Sequence, residues 1–158
     1  NGETNFRFSS VHLIHIFVKM TDNVSKKRRS EIMSSVKGKN TKPEVIVRQF
    51  LFSKGFRYLL HDKKLPGKPD IKLPKYKTVI FINGCFWHGH TNCKIYVMPK
   101  TNKKFWQEKI DKNVERDKKN IVELKNLDWN VILLWECELK KAKRENTFQN
   151  IIDKILIH

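Results

Sequence analysis

The sequence predicts an α/β fold built on a mixed central sheet flanked by helices. Two continuous apolar runs, Thr78–Ile82 and Trp129–Trp135, read as strands buried inside a sheet. Between them, residues 102–127 repeat apolar side chains at helical spacing on a strongly charged background. Helical patterns also stand before the first run and after the second.

The first helix is expected over about 42–54. Thr41-Lys42-Pro43-Glu44 has the form of a capping box, in which Thr41 receives an early helix N–H and Glu44 reaches back. Val47, Phe50 and Leu51 then share a face with Ile46 beside it, and Gly55 is a natural stop. Phe56–Leu60 and Asp70–Leu73 are short strand candidates, separated by the turn Leu65-Pro66-Gly67-Lys68-Pro69. Pro74–Lys77 turns the chain back, so the Asp70 strand and Thr78–Ile82 should form a hairpin. Residues 83–100 follow neither period and read as a long ordered loop, which in a small domain is functional or pinned. Phe105, Trp106, Ile110, Val114, Ile121 and Leu124 form the apolar stripe of the long helix. Phe148, Ile151, Ile152 and Ile155 mark a closing amphipathic helix.

A chain of 158 residues allows one domain. We expect that domain to be 20–158, starting at Met20, with 20–42 a basic arm and 1–19 an extension or non-native leader. An added N-terminal strand at Val11–Val18 is the alternative. With 39% hydrophobic residues the chain is not a disordered basic tail. Thirty-three Lys and Arg against 16 Asp and Glu leave a net charge of +17, which calls for an acidic partner. Nucleic acid is the first candidate, because basic side chains displace phosphate counterions; an anionic membrane surface or an acidic protein is the other. Lys26, Lys27, Arg28 and Arg29 in the arm are either a solvated run or a grip on the phosphate backbone. No apolar run approaches about 18 residues, so no transmembrane helix is expected, and the lack of an export signal predicts a cytoplasmic protein.

Three cysteines argue against a pure disulfide framework. Cys85, His90 and Cys93 fall on one loop, and Cys137 follows the Trp129–Trp135 strand, where it could complete a tetrahedron. Thiolates with imidazole suit a structural Zn²⁺. Free cysteines beside a surface histidine are the alternative. Asp70 stands at a strand start, as a turn residue or as a carboxylate able to hold Mg²⁺ near the end of the neighbouring strand, at Ile82 and Asn83. His88 is two residues before His90 and is either an exposed loop histidine or a general acid–base. Asp117 alone is a salt-bridge residue on a charged helix, and Glu44 alone a capping residue. Phe86 and Trp87 are adjacent aromatics that do not easily enter one core from an irregular loop. They either cover the Cys–His cluster or wedge between bases, and Trp106 fits helix packing.

Taken together, these residues resemble the very-short-patch-repair (Vsr) DNA mismatch endonucleases of bacteria. The resemblance is carried by Arg29-Ser30-x2-Met33-x2-Val36, Asn40-Thr41-x-Pro43-Glu44, Leu65-Pro66-Gly67-Lys68-Pro69-Asp70, Val79 through His90, Phe105-Trp106-x-Glu108-Lys109-Ile110-x2-Asn113-x2-Arg116-Asp117, and Trp135-Glu136-Cys137. It spans about 20–140. It implies a restriction-endonuclease-like core with one structural zinc, and Mg²⁺-dependent nicking of one strand 5′ to the thymine of a T:G mismatch left by 5-methylcytosine deamination. By motif, Asp70 corresponds to the Mg²⁺-binding aspartate, with the Ile82 backbone carbonyl as a second ligand. His88 corresponds to the catalytic histidine, Asp117 and Glu44 to its acidic supports. Cys85, His90, Cys93 and Cys137 correspond to the zinc ligands, and Phe86, Trp87 and Trp106 to aromatics that wedge beside the mismatch. Ile82 stands where the family often has threonine, and Asn83 where some members have a histidine. One residue more separates His90 from Cys93 than in some members. The resemblance further implies a nucleoid-associated monomer linked to a cytosine methyltransferase and to mismatch-repair proteins. A restriction-type nuclease on the same core and a non-catalytic zinc DNA-binding module are the competing readings.

Overall fold

The computed structural model describes Ser25, Lys27 and residues 38–157. The expectations for residues 1–19, and for Lys26, Arg28 and Arg29 of the arm, fall outside the described residues; Lys27 is exposed. The elements run α1 (Lys42–Ser53), β1 (Leu59–Leu60), β2 (Ile71–Leu73), a 3-10 turn (Pro74–Tyr76), β3 (Thr78–Asn83), α2 (Lys103–Asn126), β4 (Asn130–Trp135) and α3 (Lys141–Leu156). They make a mixed α/β fold whose four-stranded sheet has the order β1-β2-β3-β4.

Local chemistry sets both ends of α1. Glu44 reaches back to accept the Thr41 hydroxyl at 2.8 Å and the Thr41 N–H at 3.4 Å, so the expected box forms. Gly55, at φ +84°, ends the helix: its N–H donates to Phe52 O and the Phe56 N–H to Leu51 O, a Schellman closure. That closure also explains why the expected Phe56–Leu60 strand shrinks to Leu59–Leu60. Phe56 is committed to the cap and turns into the core, and only the last two residues meet β2.

The hairpin forms as expected. β2 and β3 pair antiparallel with Ile71 opposite Ile80, and Lys77 turns the corner in the left-handed region at φ 45°. β3 and β4 pair parallel from Thr78–Asn130 to Asn83–Trp135, which requires a long crossover, and α2 supplies it. The main core lies between the sheet and the helices α1 and α3, with Val47, Leu51, Ile80, Ile132, Ile151 and Ile155 almost wholly buried and Phe50 stacked on Phe148 at 3.8 Å.

A second, smaller core stands apart from it. Phe86, Trp106 and Ile110 are buried together, with Trp87, Tyr96, Met98 and Val114 packed around them. It joins the 84–102 loop to the first half of α2. Two expectations are corrected here. Phe86 and Trp87 do contribute to one core, because a tight turn lets them meet edge to face at 5.1 Å. Phe105, counted on the buried stripe of α2, is 56% exposed, since its neighbour Trp106 takes the inward position. Among the described residues, no helix is long and apolar enough to cross a membrane.

Candidate active site and metal centre

Asp70 immediately precedes β2. The turn before it closes with the Lys68 N–H on Leu65 O, and Gly67 at φ +70° lies so close to Asn120 of α2 that a Cβ would meet it at 2.9 Å. This seats the loop against α2 and turns Asp70 toward the end of β3. Its Oδ2 accepts the Ile82 N–H at 2.8 Å. The expected neighbourhood of Asp70, Ile82 and Asn83 is therefore formed. Burial pushes the Asp70 carboxyl up from 3.8 to about 6; the Ile82 N–H opposes this, and nearby Glu44 adds to it.

His88 comes from the far side of the cleft. Trp87 O accepts from Asn113 Nδ2 at 3.0 Å, and Gly89, at φ +62°, sits so close to α2 that a Cβ would meet Val114 at 3.0 Å and Ile110 at 3.1 Å. One turn beyond Asn113, Asp117 meets His88 Nδ1 at 2.5 Å. Burial opposes ionisation of Asp117, but the bond to His88 and the Arg116 guanidinium together hold its carboxyl below the usual range. An ionised Asp117 only accepts, so His88 donates to it through Nδ1–H, and Nε2 is the ring nitrogen outside this pair.

Glu44 does not share in this pair. It serves the cap and accepts from buried Arg48 at 2.6 Å, beside Asp70 and His61. Asp117 is thus the carboxylate hydrogen-bonded to His88, while Glu44 lies with Asp70 and His61. Arg48 and His61 were not foreseen as site residues. The i,i+4 spacing of Glu44 and Arg48 was the available signal for the arginine. Glu136 was also missed: buried after β4, it accepts the Cys85 N–H at 2.8 Å and so anchors the start of the loop. Asp70, His88, Asp117, Glu44 and Glu136 all line one cleft of ≈ 780 Å³, with Lys39, Lys63, Lys68 and Arg116 around it.

On the loop itself, Cys85, His90 and Cys93, with Cys137 from just after β4, bring four donor atoms within 4.8 Å of one another. His90 Nδ1 lies 3.3 Å from Cys85 Sγ and 3.6 Å from Cys137 Sγ, close to the roughly 3.5–3.8 Å edges of a tetrahedral thiolate–imidazole site. The His90 ring stacks on Trp135 at 4.0 Å, and burial lowers its pKa toward the neutral, ligating form. Burial pushes the Cys85 and Cys137 thiols up, whereas at Cys93 burial is outweighed by hydrogen bonds, the Ile95 N–H first among them, which bring that thiol down. Phe86 has no exposed surface and Trp106 little; Trp87 stands on them, half-buried, at the cleft.

A basic α/β scaffold carrying a carboxylate, a histidine–aspartate pair and an open cleft has the build of a hydrolase for a polyanion. The model of the family described as DNA mismatch endonuclease Vsr matches residues 21–94. The type II nicking enzyme V.NmeAIP of Neisseria meningitidis serogroup A is 56% identical over 121 residues, covering 77% of this chain and 86% of that protein. The type II nicking enzyme V.XorIIP of Xanthomonas oryzae pv. oryzae is 44% identical over 135 residues, 85% of this chain and 98% of that one. The DNA mismatch endonuclease Vsr of Escherichia coli is 40% identical over 125 residues, 79% and 80% of the two chains. The chain belongs to the Vsr DNA mismatch endonuclease family, and is a DNA-acting endonuclease.

Proposed function

We propose that this protein nicks one strand of duplex DNA 5′ to the thymine of a T:G mismatch, starting very-short-patch repair of deaminated 5-methylcytosine. The meeting of Asp70 with the His88–Asp117 pair in one cleft carries the reading. The relatives' names, a DNA mismatch endonuclease and two nicking enzymes, support it. The sheet, with its carboxylate at a hairpin beside a parallel crossover, is consistent with a restriction-endonuclease-like core.

Asp70, with the Ile82 carbonyl and Glu44 nearby, would hold Mg²⁺; oxygen donors suit that ion, and a buried carboxylate short of positive charge fits a cation. When bound, Mg²⁺ supplies charge stabilisation to the phosphate and acidity to bound water. The remaining chemistry belongs to the chain. Asp117 fixes the ring of His88, and His88 Nε2 takes the proton of the attacking water. Lys39, Lys63, Lys68 and Arg116 hold the phosphates on either side, with the arm of Lys26, Lys27, Arg28 and Arg29 extending the grip. Trp87, backed by Phe86 and Trp106, would wedge beside the mismatch, where the weak pair lowers the cost of unstacking. Cys85, His90, Cys93 and Cys137 would hold a structural Zn²⁺ that shapes the loop. The protein would act as a monomer, in a cell with a cytosine methyltransferase that creates its lesions.

The test is a panel of duplexes with T:G or T:A at one position and the flanking bases varied. Nicking of T:G alone, on the thymine strand, is expected. Equal cutting of T:A, or cutting of both strands, would place the protein among restriction-type nucleases; binding without Mg²⁺-dependent nicking would make it a binding module. On the T:G duplex, Asp117→Asn should slow single-turnover nicking about 10²–10⁴-fold, because an amide no longer selects the Nδ1–H tautomer of His88. An unchanged rate would remove the pair from the mechanism.

A further inference from the structure

Glu44, His61 and Asp70 place ligand atoms within 4.8 Å of one another, which by composition alone is a three-donor metal site. The hydrogen bonds argue for a different division of roles. Arg48 is buried, with Nη1 2.6 Å from Asn40 Oδ1 and Nη2 2.6 Å from Glu44 Oε2 and 3.0 Å from His61 Nε2. A guanidinium has no acceptor, so His61 Nε2 must be the unprotonated nitrogen. The proton of the neutral ring then sits on Nδ1, and Nδ1 lies 3.9 Å from Asp70 Oδ1. With one nitrogen committed to Arg48 and the other protonated, the ring has no lone pair left for a cation. Its position is tied to Asp70 by the backbone as well, through the His61 N–H and Asp70 O at 3.4 Å.

We propose that His61 is a positioning residue for Asp70 rather than a metal ligand: Arg48 locks its tautomer, and its Nδ1–H holds Asp70 Oδ1 while Ile82 N–H holds Oδ2. This rests on the reading of Asp70 as the metal-holding carboxylate. The 3.9 Å separation is longer than a hydrogen bond, so the proposal requires the contact to close, through a bridging water or a small turn of the carboxylate, when a cation binds. Outer partners of this kind commonly change metal affinity 10–100-fold without touching the ion.

The experiment measures Mn²⁺ binding by electron paramagnetic resonance, with wild-type, His61→Ala, His61→Gln and Asp70→Asn full-length chains, each first shown to be folded by circular dichroism. His61→Ala should weaken Mn²⁺ by about tenfold or more. His61→Gln, whose amide can accept from Arg48 and donate to Asp70, should recover most of that loss. Nitrogen-15 NMR of the wild-type imidazole should show the Nδ1–H tautomer both without and with Mg²⁺. Wild-type affinity in His61→Ala, no recovery in His61→Gln, or loss of the Nδ1 proton on adding Mg²⁺ would each overturn the assignment. Asp70→Asn separates the two readings: if it binds Mn²⁺ as wild type does, the carboxylate itself has been misassigned and both fall; if it loses Mn²⁺ while His61→Ala does not, only the role of His61 falls.

Discussion

Asp70→Asn should end Mg²⁺-dependent nicking and, in the metal-free protein at pH 7.5, raise the melting temperature. Burial is the main reason. It lifts the carboxyl from 3.8 to about 6 in the folded chain, against the pull of the Ile82 N–H. In the unfolded chain the group ionises near its ordinary value. Between those two values the folded state holds more protons than the unfolded state, so stability falls as pH rises from about 4 to about 6 and is level above that. The shift corresponds to roughly 2–3 kcal/mol carried as a charge held out of water. Asparagine removes the charge and keeps an oxygen for the Ile82 N–H, so most of that amount is regained at pH 7.5 and little at pH 4. At about 2–4 °C per kcal/mol for a chain of this size, scanning calorimetry will resolve the difference. Added Mg²⁺ should stabilise the wild type and leave the variant unmoved, because only a state that binds the ion gains from it. Without the ion's charge stabilisation, nicking should fall by about a thousandfold or more. A variant less stable than wild type at pH 7.5, or one that nicks normally, would contradict this account of the residue.

The features legible in the sequence are those set by neighbours along the chain. Thr41 with Glu44 and the glycine at 55 define α1 within one turn at each end, since capping is local chemistry. The two apolar runs become β3 and β4 because every second residue on either face needs cover. Where structure and expectation differ, the deciding contact lies elsewhere in the sequence. Phe56 could be a strand residue until the helix closure claims it. Phe105 and Trp106 both suit the inner stripe, and only the position of Phe86, 5.5 Å from Trp106, decides which turns inward. The site follows the same division. The hairpin forecast brought Asp70 to Ile82, whereas the pairing of Arg48 with His61 spans 13 residues and joins α1 to the residue that follows β1. Glu44 was legible as a cap, and the i,i+4 spacing pointed to Arg48, but its place beside Asp70 and His61 is set by contacts distant in sequence.

Removing the metal proposed for the cysteine cluster should unfold the active-site loop while leaving the sheet standing. The main core draws no residue from 84–102, so its burial does not depend on that segment. The second core does: Phe86, the residue after Cys85, is its centre, and Trp87, Tyr96 and Met98 surround it. Apart from that small core, the segment is held by short turns, the Cys85 N–H on Glu136, the bonds of Trp87 O and His88 to Asn113 and Asp117 of α2, and the four donors themselves. Without a cation, burial pushes the Cys85 and Cys137 thiols up, and only weak sulfur–imidazole contacts tie Cys137 to the loop. Structural zinc contributes about 10 kcal/mol or more in domains that fold around it. At the site proposed here that contribution would fall on one segment, the condition for local rather than global opening. Chelation, or Cys85→Ser, should therefore shift tryptophan emission to the red as Trp87 and Trp106 become wet, with far-ultraviolet circular dichroism nearly retained. Nicking should fall with the fluorescence change, because His88 lies on the same loop and loses Asp117 when it opens. Metal analysis of the native protein should return close to one zinc per chain; less than about half an equivalent in a folded, active preparation would count against the site. If chelation instead abolished the circular dichroism signal, the two cores would be a single cooperative unit, and the loop would be part of what makes the sheet stable.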